Sequence, residues 1–325
     1  MNRRVRANPS QDGVALAILV WFLAAMSLLV AGIVLQARVD VKLAQLHAAQ
    51  ARAGAAADGA IQLALMDLLH QELEGDFAKR ASHHGAFTVG KYNVAVSFTP
   101  LAGLIDLNKA SRELLFALFS SIDDLDENVA EELALNVVEW RTASPGLEGT
   151  AAEEDAESGS GLADEAGETE LRHDSFEAIE DLLLVPGIDR TIYEAVRDAV
   201  YVSATGQPGV DWMSAPVSVL RALGDVDEEF AIEVVKSRID QPVEELLAPV
   251  ELDMDFQEST ALSSFRVDAL VRSDETLFRR RRWVDRSSAG ADGLPWRFVR
   301  TEAVRVVPQA EMETLAALEA AYDGD

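Results

Sequence analysis

Ten carboxylate side chains lie close together between positions 148 and 174, with glycine and serine interspersed and a single arginine, Arg172. Hard cations such as Ca²⁺ take six to eight oxygen ligands, and carboxylates on a pliable loop can supply them. This composition makes calcium a candidate ligand of the region, although the sequence contains no D-x-D-x-D-G loop. The candidate metal ligands are Glu153, Asp155, Asp164, Glu165 and Glu168.

The same acidic region has a second interpretation that needs no metal. Almost none of its residues is apolar. A segment of this composition cannot bury enough surface to offset the entropy of ordering, so a flexible, solvated loop is expected. Both interpretations remain open at this stage.

The other chemically active residue types form no catalytic constellation. The chain has no cysteine, and no G-x-S-x-G, H-E-x-x-H or P-loop pattern occurs. His83 and His84 could contact a metal, but adjacent histidines in a polar turn are more often exposed. We therefore expect no enzymatic activity.

The strongest basic run consists of Arg279 to Arg282. Alternate side chains of a strand project from opposite faces of its sheet. The run indicates a charged edge strand that resists pairing with other strands. The alternative interpretation is a docking patch for an acidic partner.

An apolar segment near the N-terminus must position everything that follows it. The uncharged run from Val14 to Leu35 is about 33 Å long as a helix, enough to cross a bilayer core of about 30 Å. Arg3, Arg4 and Arg6 lie on one side of it only. This asymmetry predicts a single-pass membrane protein whose N-terminal end stays in the cytoplasm while the remaining chain is exported.

A short basic leader, a glycine and then an apolar helix resemble a type IV prepilin signal. The resemblance implies cleavage between Gly13 and Val14, with Val14 as the methylated N-terminus of the mature chain. Asp12 stands where a basic residue is usual, and Ile18 is the fifth mature residue, where major pilins carry glutamate. The alternative is a plain signal anchor with a glycine at its edge.

Composition agrees with an exported globular protein. The chain has 325 residues, of which 49% are hydrophobic, and a net charge of −28. Removing residues 1–13 would take away three arginines and one aspartate, a net +2, and leave −30. A surface of this sign repels nucleic acid phosphate and anionic lipid, so nucleic acid is not an expected partner.

The distribution of elements predicts an α+β fold. Alanine and leucine continue the N-terminal helix to Gly75, with a periodic apolar stripe that includes Ala51, Ala55, Ile61, Leu65 and Leu68. One strand is expected at 92–98 and three more at 264–272, 277–284 and 296–307, forming one antiparallel sheet against the helix. The predicted units are a leader at 1–13, an N-terminal helix at 14–75 (transmembrane at 14–35), a pilin-like head at 76–103 and 251–325, and an inserted helical domain at 104–250 with an acidic loop at 148–174.

The predicted insertion contains two related segments. Residues 105–111 (IDLNKAS) align with residues 210–216 (VDWMSAP), and each copy leads into two helices joined by an acidic turn. The repeat-motif residues are Asp106, Asn108, Asp211 and Ser214, with Asn108 and Ser214 expected as helix N-caps. Residues 182–189 (LLLVPGID) resemble the turn of a helix-hairpin-helix, and their acidic surroundings indicate a packing turn.

Taken in order, these motifs resemble the K class of minor pseudopilins from type II secretion systems. The resemblance covers nearly the whole chain: the leader without glutamate, LIDLNKAS, Trp140-Arg141, LLLVPGI, DWMSAP and the late strands. It implies an inserted domain with helix-hairpin-helix or SAM-like repeats. In the family the repeated segments follow I-N-x-N-T-A, where this chain has Asp106, Asp211 and Met213 in place of asparagines. The family can also bind calcium near the acidic region.

The resemblance implies a single-pass inner-membrane protein with a periplasmic C-terminal domain, positioned at the tip of the pseudopilus. A subunit with Ile18 in place of glutamate cannot pair with the N-terminal amine of a subunit above it, and the helical insertion would block further addition. The implied partners are I- and J-class minor pseudopilins, the major pseudopilin, the inner-membrane assembly platform and prepilin peptidase. The alternatives are a minor pilin of a type IV pilus or competence system, a membrane-anchored DNA-binding protein and an anchored periplasmic enzyme.

Overall fold

The computed structural model describes residues 12–74, 83–142, 175–203, 206–224, 226–240, 249, 251–258, 263–273, 276–287, 290 and 293–308. Within these residues the protein is a mixed α and β structure, with one long apolar helix at the N-terminal end and an antiparallel sheet. This confirms the general class that the sequence predicts.

The N-terminal helix, α1, runs without interruption over Asp12–Glu74. The described side chains up to His47 are exposed, and the helix begins to pack against the protein near Ala48. Its buried stripe is rich in alanine and follows helical spacing, which lets the helix axis approach the sheet closely: Ala53, Ala56, Ala57, Ala60, Ile61, Ala64, Leu65, Leu68.

The predicted stripe on α1 is therefore correct in one half and wrong in the other. Ile61, Leu65 and Leu68 are buried, whereas Ala51 and Ala55 are exposed. The chain around these positions consists mostly of alanine and glycine, so no apolar period distinguishes one face of the helix from another.

The sheet has six strands, five of them in the order β1-β2-β5-β6-β7, while the short β8 pairs with β6 beyond the end of β7. All pairings in this sheet are antiparallel. The strand bounds are β1 His83–Val89, β2 Tyr92–Pro100, β5 Ser264–Ser273, β6 Thr276–Asp285, β7 Arg297–Thr301 and β8 Arg305–Val306.

The sequence missed β1. Its first residues, His83 and His84, were predicted to lie in a polar turn, but they begin a strand that pairs with Phe98 and Ser97 of β2. The pairing register, set by the turn at Gly90, decides this outcome rather than local composition. Gly90 has a φ of 62°, a left-handed conformation that glycine adopts without steric cost.

Between β2 and β5 the chain forms helices and two very short strands. The helices are α2 Arg112–Ser120, α3 Glu127–Arg141, α4 Arg190–Val196, α5 Val217–Gly224 and α6 Glu228–Asp240, with a 3₁₀ helix at Ile179–Leu184. The strands β3 (Ile105–Asp106) and β4 (Val200–Tyr201) pair in parallel.

The described residues form two large hydrophobic cores. One lies between α1 and the sheet and contains Ile61, Leu65, Phe265 and Phe278. The other lies inside the helical insertion and extends to one sheet residue, Trp283 of β6. Because Trp283 belongs to the insertion core, the helices dock directly on the sheet face opposite α1.

Candidate functional site

The predicted processing site lies at the start of α1. Gly13 and Val14 have helical backbone, since the helix begins at Asp12. Ile18, one turn further, is 63% exposed. It belongs to an unpartnered apolar surface that also includes Trp21 and Leu28.

Among the described residues, one helix is long and apolar enough to cross a membrane, and it is α1. The most apolar part of this helix has a mean hydropathy of 2.7, with none of its side chains buried by the rest of the protein. The same helix continues into the core against the sheet. A helical segment of membrane-spanning length and a folded head are thus joined with no intervening linker.

The arginine run lies inside the sheet and not at its edge. It occupies β6, which pairs with β5 on one side and with β7 and β8 on the other. The prediction of a charged edge strand was therefore wrong. The alternative of a docking patch for an acidic partner is also not supported, because the four guanidinium groups contact acids of this chain.

Arg281 is at the centre of the face that receives the helical insertion. Its Nε lies 2.7 Å from Oδ1 of Asp268 on β5, and its Nη1 contacts Asp198, which follows α4. Arg279 approaches the other oxygen of Asp198 at 3.3 Å. Arg266 donates to the main-chain oxygen of Asp198 and lies 3.2 Å from Asp268.

The cluster combines three guanidinium groups with two carboxylates, and its side chains are between 4% and 29% exposed. Burial alone would raise the pKa of Asp198, but the guanidinium groups of Arg281, Arg279 and Arg266 hold it well below its usual range. Asp268 behaves in the same way: burial opposes ionisation, and Arg281 and Arg266 lower its pKa. Both carboxylates are thus held ionised against the sheet.

The other two arginines of the run point to the opposite face. Arg280 forms a two-pronged pair with Asp58 of α1, at 2.8 Å and 3.2 Å, and Arg282 reaches the same carboxylate at 3.0 Å. Asp58 is the residue of α1 that both arginines contact. The alternation of side chains along β6 therefore joins the N-terminal helix and the helical insertion through one strand.

Two further ion pairs connect the insertion with the chain around β7. Arg197, at the end of α4, contacts Glu302 at 2.9 Å, and its own side chain is only 5% exposed. Arg300 of β7 pairs with Glu180 in the 3₁₀ helix at 2.5 Å. The insertion is thus held at several points.

The first repeat segment folds into a tight turn around Asp106. This residue ends β3, and its Oδ1 accepts a hydrogen bond from the N–H of Asn108 at 2.9 Å. The sequence suggested that Asn108 caps a helix, but in the structure it does not. Its side chain instead exchanges two hydrogen bonds with the main chain of Phe176, and the N-cap of α2 is Ser111.

The second repeat segment forms a similar turn with different partners. Asp211 accepts from the N–H of Met213 at 3.2 Å, from the hydroxyl of Ser214 at 2.6 Å and from Gln257 at 3.3 Å. Ser214 is not an N-cap either, because α5 begins only at Val217. Each aspartate thus organises its turn by accepting the N–H two residues further on.

Both turns also receive an arginine from the second helix of their own segment. Arg141 donates to the main-chain oxygens of Leu107 and Ala110, and Arg238 donates to that of Ala215. Ala110 and Ala215 each stand four residues after the aspartate. Sequence reasoning noted Arg141 but missed Arg238, which the alignment of the two segments could have identified.

The turn at 182–189 packs inside the insertion. The Pro186 oxygen accepts from the side-chain amide of Asn136 on α3 at 3.0 Å. Gly187 has a φ of 83°, and a Cβ at this position would lie 2.9 Å from the Leu133 side chain. Asp189 accepts the first N–H groups of α4. This close contact with α3 agrees with a packing turn.

The predicted calcium ligands Glu153, Asp155, Asp164, Glu165 and Glu168 lie outside the described residues. In the part of the chain that the structure describes, no group of three or more histidine, aspartate or glutamate side chains could hold a metal. Among the described residues, a cleft of about 620 Å³ lies beside Ser175 and Phe176. Asn108, Lys109 and Arg141 contribute to its walls.

Comparison with known proteins finds similarity among solved structures. No protein-family model matches the chain, and no curated protein sequence matches it. The chain is similar in structure to a chain in the crystal structure of the GspK–GspI–GspJ complex from the type 2 secretion system of enterotoxigenic Escherichia coli. The identity is 16% and the TM-score 0.43, with 84% of this chain and 100% of that chain covered.

Proposed function

We propose that this protein is a K-class minor pseudopilin at the tip of a type II secretion pseudopilus, where it initiates or caps assembly for protein export. The observation that carries the proposal is the architecture of α1. This helix is 63 residues long. Its first part has the exposed apolar surface of a membrane segment, and its last part buries an apolar stripe against the sheet of the head. A subunit built in this way can be held by the membrane before assembly and by other helices afterwards.

In this proposal prepilin peptidase cleaves between Gly13 and Val14. The arginines of the leader keep that end in the cytoplasm, and the sheet and insertion are exported to the periplasm. The sheet against α1 is then the pilin-like head. The segments around Asp106 and Asp211 are the helix-hairpin-helix or SAM-like repeats of the inserted domain.

Two features support the proposed tip position. Ile18 provides no carboxylate to offset the burial of a neighbour's N-terminal amine, which is costly in an apolar environment. The helical insertion is a large addition to the head, and the ion pairs of Asp198 and Arg197 hold it in one place. A fixed bulky domain supports a subunit above which no further copy adds.

The proposed partners are the I- and J-class minor pseudopilins, followed by the major pseudopilin and the inner-membrane assembly platform. Calcium remains a proposed ligand of the acidic region. No enzymatic activity is part of the proposal.

Processing can be tested directly by intact mass and N-terminal sequencing after co-expression with a prepilin peptidase. We expect a chain that begins at methylated Val14. The variant Gly13→Val should stay uncleaved, whereas Gly32→Ala, where no atom lies within 4 Å of the added methyl group, should be processed normally. A wild-type chain with its leader intact, or one cut beyond Leu35, would contradict the proposal.

The tip position requires a separate measurement. Quantitative mass spectrometry of isolated pseudopili should find this chain at the level of one copy per filament, together with the I and J partners. The variant Ile18→Glu restores the missing acid and should raise that ratio. Wild-type copies spread along the shaft would exclude a tip subunit.

A further inference from the structure

The carboxyl group of Asp106 is completely buried where β3 ends. β3 is held in place by the N–H groups of Ile105 and Leu107, which donate to Ala199 and Tyr201 at 2.9 Å and 3.0 Å. One carboxyl oxygen, Oδ1, accepts the N–H of Asn108, and the main-chain N–H of Ser203 also acts on the carboxyl group. The other, Oδ2, has no hydrogen-bond partner in the described part of the chain.

The surroundings of Oδ2 leave little room for a compensating group. The main chain of Gly206 lies against it, so that a Cβ on Gly206 would come within 1.5 Å of the oxygen and within 2.9 Å of the Tyr201 hydroxyl. Gln207 beside it is also buried, and neither of its side-chain amide atoms has a partner in the described residues.

Few charges face this carboxyl group. The positive charges of Lys109, on the same turn, and of Arg141, on α3, attract the carboxyl group electrostatically. The hydrogen bonds of Arg141 are donated to main-chain oxygens instead. On the β4 side are the Tyr201 hydroxyl and, beyond it, Glu258. An ionised carboxylate would be poorly compensated here, whereas a neutral acid needs no counter-charge.

The electrostatic balance agrees with this geometry. Burial raises the pKa of Asp106 to about 6, against the opposing effect of the main-chain N–H groups of Asn108 and Ser203 and the charges of Lys109 and Arg141. The counterpart aspartate in the other repeat segment is built differently. Asp211 is only partly buried, and both of its oxygens accept hydrogen bonds.

We propose that Asp106 binds a proton in the folded protein at mildly acidic pH and releases it near neutrality, which makes the junction of β3, β4 and the chain at Gly206 a pH-sensitive joint. The ionised form needs a donor at Oδ2. The main chain at Gly206 must move aside to admit one, and the β3–β4 pairing loosens with it. This inference does not depend on the proposed function.

The sign of the effect follows from linkage. A carboxyl group whose folded-state pKa is above the unfolded value of 3.8 favours folding when protonated, so stability falls as pH rises from about 4 to about 6 and is constant above that range. Asp106→Asn places a neutral isostere at the site. The unfolding constant of the wild type relative to this variant should rise on the order of 100-fold between pH 4 and pH 8.

The experiment compares chemical unfolding of the full chain in detergent between pH 4 and pH 8, for wild type, Asp106→Asn and the matched control Asp211→Asn. Asp211→Asn replaces one of the two carboxylate oxygens that accept hydrogen bonds from Ser214 and Gln257, and should lower stability at every pH. Hydrogen exchange at Ile105 and Leu107, corrected for intrinsic rate, should accelerate above pH 6 in the wild type only.

Several results would overturn the proposal. Wild type and Asp106→Asn could show the same pH dependence, or the variant could be less stable throughout, which would mean that an ionised carboxylate is required. Loss of the difference on adding calcium, and its return with a chelator, would assign the site to a cation instead. If Asp106→Asn does not fold, a ¹³C NMR titration of the Asp106 carboxyl in the wild type decides, and a midpoint near 4 would refute the inference.

Discussion

On β5 the residues that face α1 are Phe265, Val267 and Ala269, and those that alternate with them, Arg266 and Asp268, face the helical insertion. The same strand therefore packs by the hydrophobic effect on one side and largely by buried ion pairs on the other. Apolar packing depends on the buried area and on complementary shape, but hardly on the direction of individual contacts. Buried ion pairs require each partner in place, because an unpaired charge in the interior is costly.

The comparison indicates different roles for the two contacts. The apolar contact of α1 depends on small residues that let the helix lie close to the sheet. The ionic contact of the insertion contributes little net stability for its size, since desolvation offsets much of the attraction, but it fixes one orientation. The proposed tip position requires the domain inserted between β2 and β5 to keep a fixed orientation, so that no further copy adds above it.

The largest effect should come from Arg281→Met. This change leaves Asp268 and Asp198 without their main partner in a buried site, which should lower the free energy of unfolding by about 3–5 kcal/mol. Equilibrium urea unfolding of the full chain in detergent measures it. A loss below about 1 kcal/mol would mean that the ionic face is solvated and that the contrast between the faces is false.

A comparable but slightly smaller loss is expected on the apolar face. Leu65→Ala removes a side chain that is 1% exposed between α1 and the sheet, and should cost about 3 kcal/mol through lost transfer energy and a cavity. Because this change removes no titratable group or partner of one, the loss should be the same at pH 4 and pH 7. A pH-dependent loss would show that the two faces are coupled.

As pH falls, the ionic contact of the insertion should weaken before the apolar contact of α1. The folded-state pKa values of Asp198 and Asp268 are below their usual range, so the stability that they contribute is present above about pH 4 and is lost as pH falls below it. Trp283 reports the insertion side and Trp296 the α1 side. With fluorotryptophan and ¹⁹F NMR, the Trp283 signal should change at a higher pH than that of Trp296.

That order of events has a clear negative result. Simultaneous change of both signals would indicate a single cooperative unit with no weaker ionic face. Replacing Asp198 with asparagine should bring the two transitions together, because the group that responds first is then absent.

The smallest effect should come from Arg282→Met, the neighbour of Arg281 in the chain. Its partner Asp58 is 32% exposed and keeps Arg280, so we expect a loss of about 1 kcal/mol or less by urea unfolding. Two adjacent arginines would then differ severalfold in effect. Equal losses would show that burial of the ion pair, in which Arg281 and Asp268 are 4% and 12% exposed, is not what determines the cost.

Several elements could be predicted because their signals are local. The apolar run of α1, the alternation in β2 and the strands β5 and β6 follow from periodicity and strand propensity, and their bounds agree with the structure to within a few residues. β1 was missed because its two histidines and a glycine carry no strand signal. Its conformation comes from pairing with β2.

The candidate sites were harder to predict. Arg279 to Arg282 indicated a charged edge, yet their partners are remote in sequence: Asp58 is 222 residues from Arg280, and Asp198 is 83 residues from Arg281. Asn108 was expected to cap a helix and instead bonds to Phe176, 68 residues away. No local rule identifies such partners, since they meet only after the chain has folded.

The sequence by itself determined the elements whose stability is local or set by the solvent: a membrane-length apolar helix, an antiparallel sheet of amphipathic strands and two related helical segments. Only the tertiary structure decided which charges are buried together and towards which face of the sheet each arginine points. It also decided which aspartate has a carboxyl oxygen without a hydrogen-bond partner among the described residues. The physical reason is that periodicity reports the exposure of one residue at a time. The energy of a buried charge depends on the position of a second group that chain topology places beside it.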